Sequence, residues 1–182
     1  MKITKKQLRI AGYFSIANAG FTIPIFIIRD FIDVAGEIRL RLLNVILSFI
    51  SCVLVLYVVL SLKKLLNYYF QFYQVDNLIY IIIVGNVAAY IISVLFAQHT
   101  TIEVLIVSIF TLIMLGSIYI ILAIKILSLA NNLYGLLIPF AYTLIANGLC
   151  LVTVILLPLS LLVNIVSDVF LGIIFFRAAK QL

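Results

Sequence analysis

Apolar residues run in six blocks along the chain, at about 10–28, 42–62, 78–97, 102–124, 133–156 and 160–176, with short polar joints between them. Each block approaches the ~20 residues an α-helix needs to cross about 30 Å of hydrocarbon. The runs are continuous, unlike the alternating ~10-residue strands of a transmembrane β-barrel. The pattern predicts an all-α fold: a polytopic membrane protein whose residues 1–182 form one bundle of six transmembrane helices with short loops.

Local signals sharpen the ends of these elements. Thr4-Lys5-Lys6-Gln7 has capping-box spacing, so the first helix is expected to start at Lys5 and to cover about 5–28. Pro24 removes a backbone donor and should loosen its far end. Ala17-Asn18-Ala19 resembles a signal-peptidase site, but the apolar run before it is short and broken by Gly12 and Ser15. Apolar sequence continues to Ile28, so a retained helix is expected. Across 29–41, Arg29 with Asp33 and Glu37 with Arg41 stand at i,i+4, spacing that suits helical extensions into a solvated loop. Lys63-Lys64 lead into the aromatic stretch Tyr68–Tyr73, expected to lie at headgroup level. Thr100-Thr101-Ile102-Glu103 reads as a second capping box, and His99 before it as a solvated loop residue. Asn131-Asn132 are expected to cap the fifth helix, placing Pro139 one turn inside as a kink, and Leu157–Ser160 to form the last hairpin.

Composition supports the membrane reading. Hydrophobic residues make up 66% of the chain and charged residues 10%, against about 45–50% and about 25% in soluble domains. Charge position also explains the net +6 without nucleic acid. Of 12 Lys and Arg, all but Arg29, Arg39 and Arg41 fall on one side of the predicted membrane. Lys/Arg bias in short loops marks the cytoplasmic side, so both termini are expected there, in the cell membrane. Cys52 and Cys150 fall within separate helices and read as buried free thiols.

Two sets of residues stand out inside the spans. Gly85, Ala89, Ser93 and Ala97 place a small residue every four positions, which lets a neighbouring helix approach. Ala11, Ser15 and Ala19 make a weaker row. Asp168 is the one acid within a span, at a depth that costs about 2.5–3.5 kcal/mol on insertion scales. Asn164 lies one turn away, and Asn18, Asn86 and Asn147 fall at similar depth in other helices. These five residues are the candidate binding set, facing a small polar solute or relaying protons. Alternatively, the amides bond across helices and only hold the bundle together, at about 0.6 kcal/mol each.

One histidine, no paired acids and no Ser-His or Cys-His pair leave no acid–base machinery, so no catalytic residue, metal site or cofactor is expected. The function classes left are a small transporter or transport subunit, and a non-enzymatic membrane subunit or assembly protein. Expected partners are the lipid bilayer, a small polar solute or proton, and a second membrane protein.

The charge bias makes a direct prediction about orientation. In a variant lacking Cys52 and Cys150, a cysteine at position 70 should resist an impermeant thiol reagent added outside intact cells, and one in 29–41 should react. Labelling of position 70 from outside would overturn the orientation.

Overall fold

The computed structural model describes residues 3–35, 38–96, 102–129 and 135–181. Within them lie six helices: α1 (Lys5–Ala35), α2 (Ile38–Tyr69), α3 (Asp76–Phe96), α4 (Ile102–Leu127), α5 (Leu137–Thr153) and α6 (Leu157–Gln181). A 3-10 turn at Tyr73–Val75 precedes α3. Ala97, His99, Thr100, Thr101, Asn131 and Asn132 lie outside the described residues. Five helices are long and apolar enough to cross a membrane, and α5 is a shorter apolar helix of 17 residues. This is a multi-pass integral membrane protein built as a helical bundle.

The capping box at the start of α1 is formed in both directions. Gln7 N donates to Thr4 Oγ1 at 3.2 Å, and Thr4 N donates to Gln7 Oε1 at 3.1 Å. Elsewhere several boundaries differ from the hydropathy blocks, because helices outlast their apolar stretches. α1 runs through Pro24 to Ala35, and α2 continues past Lys63-Lys64 to Tyr69. The first two residues of the aromatic stretch, Tyr68 and Tyr69, thus belong to the end of α2. The chain reverses after α2, with Gln71 at φ 51°, and Leu65, Leu66 and Val75 are fully buried.

α5 is shorter than the 133–156 block and starts at Leu137, just after Gly135 at φ 80°. Pro139 thus sits in the first turn, where its missing N–H has no helical partner to lose, so it does not kink the helix as expected. The last hairpin also shifts. Val154, at φ 56°, ends α5, and α6 starts at Leu157 instead of 160 with Pro158 in its first turn. The Thr153 hydroxyl donates to the carbonyls of Leu149 and Cys150, and the latter is an acceptor that the helix end leaves open.

Each helix packs against its sequence neighbours, and α6 packs against α1, so the six close into a ring. Two glycine crossings set the tightest approaches. A Cβ on Gly148 would stand 2.6 Å from the Gly116 carbonyl oxygen, and one on Gly116 equally close to that of Gly148. Gly12 and Gly172 face each other in the same way across α1 and α6, at 3.2 Å. Bare backbone lets the helices approach closely, which maximises van der Waals contact where lipid removes any hydrophobic drive.

Burial is lopsided along the ring axis. Among the described residues, burial stops after Ala19 in α1 and Gly85 in α3, and starts at Val58 in α2 and Leu115 in α4. α5 is buried as far as Cys150, and α6 from Ser167 on, with Ser160 as the exception. The half carrying Lys5, Tyr69 and Gln181, termed the basic end, is a dense core of Leu, Ile, Val, Ala and Phe. The far half is open. One cause is visible in α4 and α5: beyond their glycine crossing α4 runs on to Ile102, whereas α5 stops at Thr153. A gap of about 280 Å³ follows between α3, α4 and the α5–α6 turn.

The small-residue row of α3 divides along this axis. Gly85 is buried, and a Cβ there would meet Leu115 Cδ2 at 2.5 Å. Ala89 and Ser93, further out, line that gap.

The glycine crossings predict an ordered mutational response. Gly148→Ala should force α4 and α5 apart and cost about 1–3 kcal/mol, as overpacking does. Gly20 has nothing within 4 Å of its Cβ position, so Gly20→Ala should be neutral or stabilise by about 0.5–1 kcal/mol. Melting in detergent reads both, and equal shifts would refute the close-approach assignment.

Candidate functional site: a polar cavity inside the ring

The ring encloses a cavity of about 100 Å³ to which all six helices contribute. Asn18, Asn86, Asn147, Asn164 and Asp168 all line it. Four separate helices bring these five residues together, since the ring points one face of each helix at a common centre. Valine, leucine and isoleucine side chains with Phe140 make the rest of the wall, together with Tyr119 and Ser167.

Asp168 is anchored through one oxygen. Asn18 Nδ2 donates to Asp168 Oδ2 at 2.7 Å, and Ser51 Oγ donates to Asn18 Oδ1 at 2.7 Å. The carboxylate thus fixes the Asn18 amide, with its NH₂ toward the acid and its oxygen toward Ser51. Ser15 Oγ also donates to the Asp168 backbone carbonyl at 2.8 Å, tying α1 to α6 at the same level. The other carboxylate oxygen has no hydrogen-bond partner among the described residues.

The amides do not behave alike. Asn86 Nδ2 donates to the Ile82 carbonyl at 2.8 Å and to Tyr119 Oη at 3.2 Å, so it is held. Asn147, although buried, and Asn164 have no hydrogen-bond partner among the described residues, and both line the cavity. If all five served only as cross-helix clamps, these two should be paired as well.

Several polar residues play parts the sequence pattern did not suggest. In α4 the Ser108, Thr111 and Ser117 hydroxyls each donate back into their own helix, to the carbonyls of Val104, Val107 and Ile113. Tyr119 is the α4 contribution instead. Tyr142, five residues before Asn147, is 60% exposed and points away. Small-residue spacing did single out Ser15 but not its bond to Asp168. Ser51 carries no signal at all, because serine is common in membrane helices and packs without chemistry.

A second cavity, of about 210 Å³, lies between α1, α2 and α3 on the open side. Ser48, Ser51, Tyr90 and Ser93 line it, and it shares Val55 and Asn86 with the central cavity. Ser51–Asn18–Asp168 is therefore a continuous hydrogen-bonded line from this vestibule to the acid. Toward the basic end the central cavity stops at Leu62, Ile79, Leu122, Phe140 and Leu171, all buried.

The arrangement can hold a small group that is cationic or donates hydrogen bonds. No Lys or Arg lines the cavity among the described residues, and Asp168 is the one acid in its wall. The volume lies well under the about 300–1,000 Å³ of sites for drug-sized ligands. Comparison with known proteins adds no precedent: no protein-family model, no curated protein and no solved structure matches the chain.

Proposed function

We propose that the protein is a small membrane transporter, or the membrane subunit of one, that binds a proton or a compact cation at Asp168. The observation that carries this reading is the half-satisfied carboxylate beside two amides that have no partner among the described residues, in one cavity. Acids inside membrane spans are rare, face cavities and mark ion or substrate paths. The uncommitted oxygen of Asp168 and the Asn147 and Asn164 carbonyls supply acceptors for a cation, and the vestibule supplies a polar approach.

The lopsided core gives this reading a direction of access. The path from the vestibule passes hydroxyls and amides, while the path to the basic end is closed by packed aliphatic side chains. With the basic end in the cytoplasm, as the Lys/Arg bias expects, the open side faces outward. Carriage would then require a second state in which the Leu62–Phe140 layer parts and the vestibule closes.

A second reading is favoured by the Asn18 and Ser15 bonds themselves. They could make Asp168 a clamp between α1 and α6 in a non-enzymatic subunit that assembles with another membrane protein. The two readings separate on flux. Asp168→Asn keeps the shape of the side chain and its contact with α1, so melting should change by only a few degrees. In proteoliposomes, flux of protons, K⁺ or methylammonium should nevertheless fall at least tenfold, because an amide neither exchanges a proton nor neutralises a cation. Asp168→Leu should lower melting as well, leaving Asn18 Nδ2 unpaired at a cost of about 1–3 kcal/mol. Wild-type flux of these probes in Asp168→Asn would remove the carrier reading and leave the clamp.

A further inference from the structure

The basic end holds a second polar site, separate from the ring cavity and independent of the carrier reading. A groove of about 520 Å³ runs between the ends of α2 and α3, with Lys63, Lys64 and Tyr80 in its wall. Its depth follows from the sequence. The apolar stretch of α2 ends at Leu62, so these lysines are the first charges after it and stand at the edge of the hydrocarbon.

The two lysines are not equivalent. Lys63 Nζ is 3.2 Å from Asp76 Oδ2 and 3.8 Å above the centre of the Tyr80 ring. Asp76 also accepts from Asn67 Nδ2 at 2.8 Å, so the acid and Lys63 are fixed in one cluster. Lys64 is half-buried and has no ion pair or hydrogen bond among the described residues. One acid among two ammonium groups leaves the groove with one uncompensated positive charge. Part-burying an ammonium group without a counter-ion is unfavourable, and an anion in the groove relieves it.

The rim indicates what kind of anion. Tyr68, Tyr73 and Tyr80 are 41%, 63% and 52% exposed, three phenols of the sort that sit at headgroup level with an apolar body and a polar tip. Leu60, on the hydrocarbon side of the lysines, is 40% exposed and extends the wall into the apolar zone. A ligand filling this outline carries one negative charge beside the start of an apolar tail. We propose that the groove binds the phosphodiester headgroup of an anionic phospholipid, with Lys64 as its counter-ion and the phenols as hydrogen-bond donors.

The test uses the whole protein in mild detergent with added phosphatidylglycerol, phosphatidylcholine or inorganic phosphate. Melting temperature and lipid retention in native mass spectrometry are read together. Phosphatidylglycerol should raise the melting temperature by several degrees and remain as one bound molecule, and the other two additions should do neither. Lys64→Gln should weaken the response to phosphatidylglycerol about fivefold, the effect of one Lys at an anionic surface. Lys64→Arg should retain it, and Lys64→Met, which keeps the apolar stem, should behave as Lys64→Gln. Equal responses to phosphatidylglycerol and phosphatidylcholine would overturn the proposal, as would unchanged binding in both Lys64→Gln and Lys64→Met. Inorganic phosphate matching the lipid would overturn the lipid as occupant.

Discussion

The contact between α1 and α6 is the constraint on which the rest of the structure depends. A chain of helical hairpins packs each helix against the next without difficulty, because short connections force neighbours together. Nothing in that rule makes the last helix meet the first. Here the Gly12–Gly172 crossing brings the two backbones close, and within two turns Ser15 and Asn18 reach Asp168. Closure turns a row of hairpins into a ring, and a ring of six helices has an interior. The central cavity and the convergence of residues on Asp168 all follow from that closure.

Glycine places these contacts, and its distribution explains the uneven core. Gly12, Gly85, Gly116, Gly148 and Gly172 all have neighbours inside 3.4 Å of where a Cβ would stand, and all lie near the middle of the ring or toward the basic end. Gly20, on the open side, has none. In lipid, association depends on contact and hydrogen bonding, so helices diverge where neither is provided. Among the described residues the far half has fewer of both, with the Ser51–Asn18 bond and the Phe49–Tyr90 ring contact as its main ties. α5 ends early there, and the hydroxyls of Ser108 and Thr111 are spent within their own helix. The basic end has the reverse: large aliphatic side chains, the Lys63–Asp76 pair, and Lys125 Nζ donating to the Gln74 carbonyl at 3.2 Å.

The polar groups divide along the same line. Those at the basic end are mostly paired and serve to hold the turn between α2 and α3. Those at the centre are only partly paired, which is costly in a low-dielectric interior unless water or a ligand completes them. A bundle selected only for stability would replace Asn147 and Asn164 with leucine or alanine. Their presence in the cavity wall is the strongest structural reason to read the centre as a site and not as a core.

Fold class was legible in the chain because membrane spans are a one-dimensional property. Twenty apolar residues cross a bilayer whatever their neighbours do, and a Thr4–Gln7 box caps its own helix. The exceptional residue was legible for a similar reason: an acid at mid-span is expensive wherever the helix packs, so Asp168 stood out alone, and similar depth sufficed to group the asparagines with it. Helix ends were less so. Hydropathy reports where a helix enters hydrocarbon, whereas α1 and α2 remain helical beyond it. What only the tertiary structure decided is who meets whom. The pairing of Gly116 with Gly148, the choice of Tyr119 over Ser117, and the distinction between bonded Asn18 and unpartnered Asn164 depend on rotation and tilt about each helix axis. Those angles are set by contacts between helices far apart in sequence, and no periodicity within one helix encodes them.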